Sequence, residues 1–414
     1  MPLKKYLGRY INSPNSKKPT IMHIDMNSFF ATCEVFKNPL LKNAPIAVVP
    51  HLKGNPVILA SSYPAKYCGV KTGMRYSQAK KLCPSLQIFL SDPKFYRNIS
   101  SKIMIVFKKF TPNVIPKSID EATLDFTNVS IKQNNLEKVA FDIKKILKER
   151  VGDCFTCSIG VANSPFLAKV ASNKHKPDGF YYLNPKSLLN FYSGLKLSDL
   201  HGVGKKTESK LNSLGIFTPI DFYNASLQFL QFHFKTHGYY WYLRLRGYSI
   251  DNLTIPKKSL GHSYHLRYFS NNLNYLKGII LKLSQKIGFR LRRHLLCAKT
   301  FYIYLKFVDG TKWTCRYTFT FYTNLDFEIY KNFIYIFNKN PYKNKKVKIL
   351  LLSASSLSLN AYHKQKTLFG LDKKNQSFYK ILDSINNKYG LFTLMPAKLL
   401  NYKNIATDRI SFGR

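Results

Sequence analysis

The sequence predicts a multidomain protein of the α+β class. Its 414 residues are enough for two to four domains, and 45% of them are hydrophobic, which is enough for several cores. Helical and strand-like patterns of apolar residues both occur. The pattern changes character near residue 195 and again near residue 251, which indicates more than one domain.

The first 190 residues mix strands with helices after a basic, polar arm at residues 1–19. Short β-prone apolar runs predict strands at 20–24, 46–49, 56–62, 154–162 and, in two pieces, 114–126. Apolar residues at helical spacing, such as Ile99, Ile103 and Phe107, predict a helix at 96–110. Similar patterns predict helices at 63–67, 77–82, 136–151 and 165–175.

From residue 195 to about 247 the pattern is one of short helices separated by glycine turns. A polar, basic linker at 251–257 then leads to a smaller mixed module. This module is predicted to contain a helix at 273–294 and strands at 298–308, 312–321 and 347–352. After residue 364 follow a short apolar peptide, an amphipathic helix at 378–388 and a polar end.

The chain is strongly basic, with 65 Lys and Arg against 21 Asp and Glu, a formal net charge of +44. An AT-rich genome, which raises the content of Lys, Asn, Ile, Tyr and Phe, is one explanation. The other is a polyanionic partner, most simply nucleic acid. We favour the partner, and the basic residues are spread over the whole chain, so the charge is not that of a tail alone.

The compartment is predicted to be the cytoplasm. The N-terminal residues lack the apolar segment of a secretory signal. No apolar run approaches the roughly 18–20 residues that span a bilayer, so no membrane partner is expected. Seven scattered cysteines suit a reducing environment. Cys154 and Cys157 have CxxC spacing, but on a strand they would point to opposite faces, so no metal or redox role is expected for them.

Residues 118–126, SIDEATLDF, place the adjacent acids Asp120 and Glu121 in an apolar, strand-like context. Burying unpaired carboxylates is costly, and Mg²⁺, which prefers oxygen ligands, is one remedy; a solvated turn is the alternative. On a regular strand the two acids would face opposite ways, so they share a metal site only where the strand bends. Asp25, in HIDMNSFF, supplies a third acid, and three such acids could hold two cations for phosphoryl transfer.

A tight Gly-x-Gly turn occurs in LHGVGKK, between two helical pieces. Gly202 and Gly204 would present backbone N–H groups to a phosphate, and Lys205 and Lys206 flank them. This pattern is typical of a helix-hairpin-helix that grips the DNA backbone. An ordinary helix–helix connection is the alternative.

Tyr63 and Lys66 lie three residues apart on a predicted helix and therefore share a face. An aromatic ring and a cation on one face suit a triphosphate, although many solvated helices carry such a pair. Taken alone, the solvated helix is the simpler interpretation.

Together and in this order, these segments resemble the Y-family, or translesion, DNA polymerases. The resemblance covers about residues 20–360 and rests on HIDMNSFF, SSYPAKYCGV, SIDEATLDF, SIGVANSPFLAKVASNKHKPDG and LHGVGKKTESKLNSLGI. The wording DMNSFFATCE is closer to the bacterial UmuC and UvrX type than to the DinB type. The resemblance implies a right-hand polymerase fold, with the following parts: palm 20–36 and 95–184, fingers 37–94, helix-hairpin-helix thumb 185–250, α+β little finger 258–356 and a C-terminal extension 357–414.

Carried over by motif, the resemblance implies that the catalytic acids Asp25, Asp120 and Glu121 hold two Mg²⁺ ions. The backbone carbonyl of Met26 would be a further ligand, and in this family the strand bends at the acid pair. Phe30 matches the steric gate, whose ring would clash with a 2′-hydroxyl. The other implied nucleotide contacts are Phe29, Tyr63, Lys66 and Lys176.

Two positions depart from the pattern of many relatives. Lys66 stands where many have Arg, which keeps the charge but loses bidentate phosphate binding. Asn27 stands where DinB-type members have a second Asp. The UmuC type also has Asn-Ser there, so we do not interpret Asn27 as a lost ligand.

The implied substrates are primer-template DNA and dNTPs, and a bacterial β sliding clamp is an expected partner. Residues 365–369, QKTLF, resemble the QxxLF clamp-docking peptide. Leu368 and Phe369 would enter an apolar pocket while Gln365 fixes the orientation; a packed strand end is the alternative. The UmuC type adds a UmuD-like subunit as a candidate partner.

Two other function classes compete with the polymerase. A metal-dependent nuclease can use a similar acid cluster, but it would not need Phe30 beside Asp25 or the pair of Tyr63 and Lys66. A non-catalytic DNA-binding accessory protein would leave the three acids unexplained.

Overall fold

The computed structural model describes residues 14–52, 54–129, 136–251, 258–359, 371–402 and 405–406. The chain forms two compact units, which divide between residues 254 and 255. Both units mix helices and sheets, which confirms the predicted α+β class. None of the described helices is long and apolar enough to cross a membrane.

The first part of the first unit contains, among the described residues, the strands β1 to β8 and the helices between them. In chain order these are β1 Ile21–Met26, α1 Phe29–Lys37, β2 Ile46–Val49, β3 Ala60–Ser61, α2 Tyr63–Tyr67, α3 Tyr76–Leu82, β4 Gln87–Leu90, α4 Pro93–Phe107, β5 Val114–Pro116, β6 Glu121–Asp125, α5 Leu136–Arg150, β7 Cys157–Ala162, α6 Pro165–Ser172 and β8 Phe180–Tyr182. Short helices follow: α7 Leu188–Ser193, α8 Lys205–Asn212, α9 Pro219–Asn224, α10 Leu227–Phe234 and α11 Thr236–Leu245.

Strand β1 is the middle of a five-stranded sheet with the order β5-β6-β1-β7-β8. It pairs antiparallel with β6 on one side and β7 on the other, and all six of its residues are buried. Met22, Ile24 and Met26 join the apolar core built with α4 and α5. Because strand residues alternate, His23 and Asp25 face the other side, where α6 packs on β1 and β7.

A second sheet, in the order β3-β2-β4, has its own small core with α2 and α3. Helices α7 to α11 form a third core, in which the ring of Trp241 packs against Phe166 and Phe222. In this helical part, α11 lies so close to α10 that a Cβ at Gly238 would fall 2.0 Å from the carbonyl oxygen of Leu230. The close crossing therefore requires glycine.

The second unit is a four-stranded antiparallel sheet covered by helices. Its elements are β9 Ser259–Ser270, α12 Leu273–Arg293, β10 Leu296–Phe307, β11 Lys312–Thr323, α13 Asp326–Asn338, β12 Val347–Leu359 and α14 Leu371–Tyr389. The strand order is β11-β10-β12-β9. Helices α12 and α13 share the core with the alternate residues of the strands.

The guanidinium of Arg292, on α12, ties α14 to this unit. It makes two hydrogen bonds to Asp383 of α14, at 2.7 and 2.9 Å, and one of 2.6 Å to Asp326 at the start of α13. It also lies over the ring of Tyr379, 4.5 Å from the centroid. The C-terminal helix is thus fixed to the layer formed by α12 and α13.

Most predicted elements are confirmed, and the exceptions have local causes. The prediction missed α1 and the short strands β4 and β8 in the first unit. In the second unit it missed β9, whose exposed positions carry His, Ser and Arg and obscure the alternation, and α13, whose β-prone Ile, Tyr and Phe hide a helical period. The strand predicted from residue 154 begins at Cys157, so Cys154 lies outside it.

The strand predicted at 56–62 is reduced to Ala60–Ser61 and a single bridge between Val57 and Arg75. Residues 252–257 of the predicted linker lie outside the described residues.

We predict that Asp383→Ala loosens α14 because it leaves a largely buried guanidinium with one carboxylate instead of two. The free energy of opening of α14 should fall by about 2 kcal/mol, measured as faster amide hydrogen exchange in the helix. The matched control is Asp309→Ala, which breaks a more exposed ion pair with Lys345 in the same unit and should change little. Equal effects of the two variants would contradict the role given to Arg292.

Candidate active site

The site starts from two carboxylates on neighbouring strands. Asp25 of β1 stands directly opposite Glu121 of β6 in the antiparallel register. Like charges placed directly opposite destabilise a sheet unless a cation lies between them. Here the cation is Lys169 of α6, whose Nζ donates to Asp25 Oδ2 and to Glu121 Oε1, each at 2.6 Å. Lys176 Nζ also reaches Asp25 Oδ2, at 2.8 Å.

These ammonium groups decide the ionisation of Asp25. Burial raises the pKa of the carboxyl, but the charges and hydrogen bonds of Lys169 and Lys176 outweigh burial and hold it at about 2. Burial in turn lowers the pKa of Lys169, yet Asp25 and Glu121 raise it overall. Asp25 and Lys169 are therefore both charged at neutral pH.

Asp120 lies in a bend between β5 and β6, not in the strand itself. Residues 117–120 form this bend, and the N–H of Met26 donates to the Asp120 carbonyl at 2.9 Å, which holds the bend against the end of β1. Asp120 precedes the strand, so it does not have to face away from Glu121 as adjacent strand residues do. The structure thus contains the bend that a shared metal site needs at this point.

The Asp120 carboxylate has a different environment from that of Asp25. It accepts a hydrogen bond from the hydroxyl of Ser118, and no ion pair within the described part of the chain neutralises it. Burial raises its pKa, the bond from Ser118 opposes this, and the negative charges of Asp25 and Glu121 add to it. Asp120 is thus an acid whose charged form would be stabilised by an added cation.

A cavity of about 220 Å³ brings most of the predicted residues together. Its walls include these residues named from the sequence: Asp25, Met26, Phe29, Phe30, Tyr63, Lys66, Asp120 and Lys176. Glu121 is not on the wall, and it joins the group through Lys169 and Asp25. A larger cavity of about 680 Å³, lined by residues such as Pro14, Glu137 and Lys186, contains none of the predicted site residues.

The two phenylalanines begin helix α1 at the floor of the cavity. Ser28, just before the helix, has a left-handed backbone with φ of 48°, which turns the chain sharply out of β1. Phe30 then stacks on Tyr96 with ring centroids 4.9 Å apart, and the Tyr96 hydroxyl donates to Glu34 at 2.6 Å. Phe29 packs near Phe155 as well as lining the cavity, so it contributes to the core and to the site together.

Lys66 and Tyr63 of α2 also line the cavity, and Lys66 Nζ lies over the ring of Tyr63, 4.3 Å from its centroid. Its Nζ donates to Ser28 Oγ at 2.7 Å. Burial and the nearby charge of Lys176 lower the pKa of Lys66, while burial and the charge of Asp25 raise that of Tyr63 to about 12. The cavity wall therefore carries the lysines Lys66 and Lys176 beside the uncharged hydroxyl of Tyr63.

Sequence reasoning missed two residues of the site, Lys169 and His23. The sequence could have indicated Lys169, because it is the one cation in the otherwise uncharged segment PFLAKVAS. In the structure all eight residues of this helix are buried. The sequence could also have indicated His23, since it lies two residues before Asp25 on a strand and so shares its face.

The His23 ring is buried beside the acids. Its Nδ1 is 3.3 Å from the hydroxyl of Thr123, and its Nε2 is 3.8 Å from Glu121 Oε2, without a hydrogen-bond partner among the residues that the structure describes. Burial and Lys169 keep its pKa well below 6.5, so the ring is neutral. His23, Asp25 and Glu121 offer ligand atoms within 4.8 Å of one another.

Asn27 has a structural role. Its side-chain amide donates to Thr156 Oγ1 and its oxygen accepts from Ser158 Oγ, both at 3.0 Å. These bonds tie the end of β1 to β7. The amide is thus committed to the sheet, in keeping with the interpretation that no ligand was lost here.

The donor set of the site fits a hard divalent cation. Oxygen donors predominate, and Asp25 and Asp120 share one cavity wall with Met26. Two ammonium groups already lie within 2.8 Å of Asp25, which shows how strongly this point attracts positive charge.

The predicted glycine turn lies between the three-residue 3₁₀ turn Leu197–Asp199 and α8, and its contact with DNA stays a prediction. Gly202 has φ of +97° and packs near the ring of Trp241, so a side chain there would be strained. Gly204 caps the N-terminus of α8 and faces open space, with Lys205 and Lys206 exposed in the first turn. The clamp-like peptide with Gln365, Leu368 and Phe369 lies outside the described residues.

Comparison with known proteins identifies the family. Residues 24–173 match the impB/mucB/samB family, and residues 257–368 match the C-terminal domain of that family. The chain is 32% identical to DNA polymerase IV of Alkaliphilus oremlandii over 92% of this chain and 99% of that protein. It is 30% identical to DNA polymerase IV 1 of Bacillus subtilis over 96% and 97% of the two chains.

A solved structure supports the same fold. It is a Y-family DNA polymerase chimera of Dbh and Dpo4, with a TM-score of 0.72 and 23% identity, covering 82% of this chain and 99% of that one. The branch within the family stays a prediction. Polymerases of this family act on primer-template DNA and dNTPs and depend on divalent metal, generally Mg²⁺. The chain therefore belongs to the impB/mucB/samB family and is a Y-family, DNA-directed DNA polymerase of the translesion type.

Proposed function

We propose that this polymerase joins dNTPs to a primer 3′-hydroxyl at the cavity that Asp25 and Asp120 share, with two Mg²⁺ ions held by these acids, Glu121 and the carbonyl of Met26. The observation that carries the proposal is the single cavity itself. It brings carboxylates, the two rings of α1 and the two lysines together around one space of about 220 Å³.

The charges of the cavity suit a triphosphate. Lys66 and Lys176 line the wall and would bind the phosphate oxygens, with the hydroxyl of Tyr63 beside them. The pair of cations, when bound, would neutralise charge on the attacking and leaving oxygens. The primer hydroxyl would give up its proton to water and attack the α-phosphorus in line, and the bond to pyrophosphate would break as pyrophosphate leaves. The acids thus orient the metals, and the lysines hold the leaving group.

Phe30 would select the sugar. Its ring is fixed by stacking on Tyr96 and lines the cavity next to Asp25, so the sugar of a nucleotide bound through its phosphates would lie on the ring. A 2′-hydroxyl would then meet carbon atoms with no room to relax, because the ring is buried on its other side. The expected result is selection of deoxyribose, with Phe29 supporting the same wall.

The duplex would be held mainly through its phosphates. The open N-terminus of α8 offers N–H groups at Gly202 and Gly204, beside Lys205 and Lys206. On β10 and β11 of the second unit, partly exposed residues pair across the two strands. Among these pairs are Tyr302 opposite Arg316 and Lys306 opposite Lys312. Such contacts make binding depend steeply on salt, by roughly 0.9 log unit per tenfold salt for each phosphate neutralised.

We assign the sheet around β1 to the palm, the region of β2 to β4 to the fingers, the helices α7 to α11 to the thumb and the second unit to the little finger. We further propose that residues 365–369 dock on a β sliding clamp, that a UmuD-like subunit is a candidate partner, and that the enzyme works in the cytoplasm with the DNA. The support for the clamp is the sequence QKTLF.

Asp120→Ala should abolish primer extension, because the acid with no counter-charge of its own would be removed from the metal site. We expect a loss of at least about a thousandfold in rate with unchanged binding of primer-template DNA. The measurement is primer extension with Mg²⁺ and dNTPs, together with a DNA-binding titration. Asp142→Ala, on α5 and away from the cavity, is the control.

Near-normal extension by the Asp120 variant would refute the metal assignment. The same assay on the unaltered protein separates the competing functions: elongation of the primer supports the polymerase site, degradation would support a nuclease site, and neither would leave only DNA binding.

Phe30→Ala should admit ribonucleotides. We expect the preference for dNTP over rNTP, measured as the ratio of the two kcat/KM values, to fall by at least about tenfold, because the obstacle to the 2′-hydroxyl is gone. Phe36→Ala, on the same helix but outside the cavity, should leave the ratio as it is. If the Phe30 variant kept its full preference, another group would have to be the gate.

A further inference from the structure

Lys169 is a lysine buried inside a helix of the first unit. It lies in the middle of α6, a helix whose eight residues are all buried, and only 9% of its surface is exposed. A lysine at such a position needs anionic partners, and its ammonium has two, Asp25 Oδ2 and Glu121 Oε1 at 2.6 Å each. Lys169 is not among the residues that line the cavity, and it reaches the cavity wall only through its bond to Asp25.

The ammonium of Lys169 lies where a metal ion shared by Asp25 and Glu121 would bind. Asp25 and Glu121 face each other across two paired strands, and Lys169 bridges them. A divalent ion that uses the same oxygens must displace the ammonium or lie beside it. Either way the positive charge of Lys169 opposes metal binding while no nucleotide is present.

A nucleotide would change this balance. Lys176 lies on the cavity wall and also binds Asp25 Oδ2, at 2.8 Å. A triphosphate in the cavity would compete with Asp25 for Lys176, and its own negative charge would offset the repulsion between Lys169 and a metal ion. Metal and nucleotide would therefore favour each other's binding, and such coupling is reciprocal.

We propose that Lys169 is a positioning residue that acts as an internal counter-ion: it holds Asp25 and Glu121 together before substrate binds, lowers the affinity of the nucleotide-free site for divalent metal, and so links metal binding to nucleotide binding. This inference rests on the proposed role of Asp25 and Glu121 as metal-binding acids. It adds a residue that does not itself line the nucleotide cavity and that acts through Asp25 and Glu121.

The test measures Mn²⁺ binding to the full chain by electron paramagnetic resonance of the free ion, with and without a non-hydrolysable dNTP analogue. Two neutral variants, Lys169→Gln and Lys169→Met, are compared with Lys169→Arg, which keeps the charge. Lys145→Gln, an exposed lysine on α5, controls for the loss of one charge from the protein. Circular dichroism checks that each variant is folded.

Without nucleotide, the neutral variants should bind Mn²⁺ at least about tenfold more tightly than the unaltered protein, since a like charge close to the ion has been removed. The gain in Mn²⁺ affinity that the analogue produces should shrink by a similar factor. The Arg and Lys145 variants should behave like the unaltered protein. A merely structural lysine would not produce tighter binding.

Unchanged or weaker Mn²⁺ binding by folded neutral variants would overturn the inference and leave the metal site standing. Asp25→Asn separates that result from failure of the site itself. If the Asp25 variant bound Mn²⁺ as well as the unaltered protein does, the acids would not be metal ligands, and the proposed function would fail together with the inference.

Discussion

Repulsion between Asp25 and Glu121, which face each other on paired strands, is the constraint around which the first unit is organised. A sheet does not accept two opposed carboxylates without compensation, and here helix α6 supplies the ammonium that makes the pairing stable. The face of β1 that carries the acids is covered by α6, and the other face builds the apolar core. A single strand thus serves packing on one side and chemistry on the other.

The local geometry around the strand end follows from the same need. The chain leaves β1 through the left-handed Ser28, so that α1 starts at once and its first rings meet the carboxylates. The bend at 117–120 brings Asp120 to the same place from β6. Asn27 fixes the end of β1 to β7 through two hydrogen bonds. The proposed metal-binding acid Asp25 and the proposed sugar-selecting ring of Phe30 are therefore neighbours, because a single turn separates them in the chain.

Much of this could be predicted from the sequence because the motifs are local. The strand leading into the HIDMNSFF motif and the two strand pieces around SIDEATLDF were predicted from their apolar residues, and the bend at the acid pair followed from the resemblance. The helix α1 that starts at Phe29 was not predicted. What the motifs could not give was the partner of the acids, since Lys169 comes from a helix about 140 residues away and reaches Asp25 only through the fold. His23 was missed because a lone histidine in a strand is more often a packed core residue. In the second unit, β9 and α13 were missed because their local composition contradicts their final burial.

The attachment of α14 by Arg292 has a mechanical consequence for the segment that precedes it. Strand β12 ends at Leu359 and α14 begins at Leu371, and both belong to the second unit, so residues 360–370 are covalently joined to that unit at each end. A macromolecule that bound this segment would bind a stretch of chain joined to the second unit at both ends, and not a free tail. Any pull acting there would be transmitted to β12 and α14, and so to the second unit.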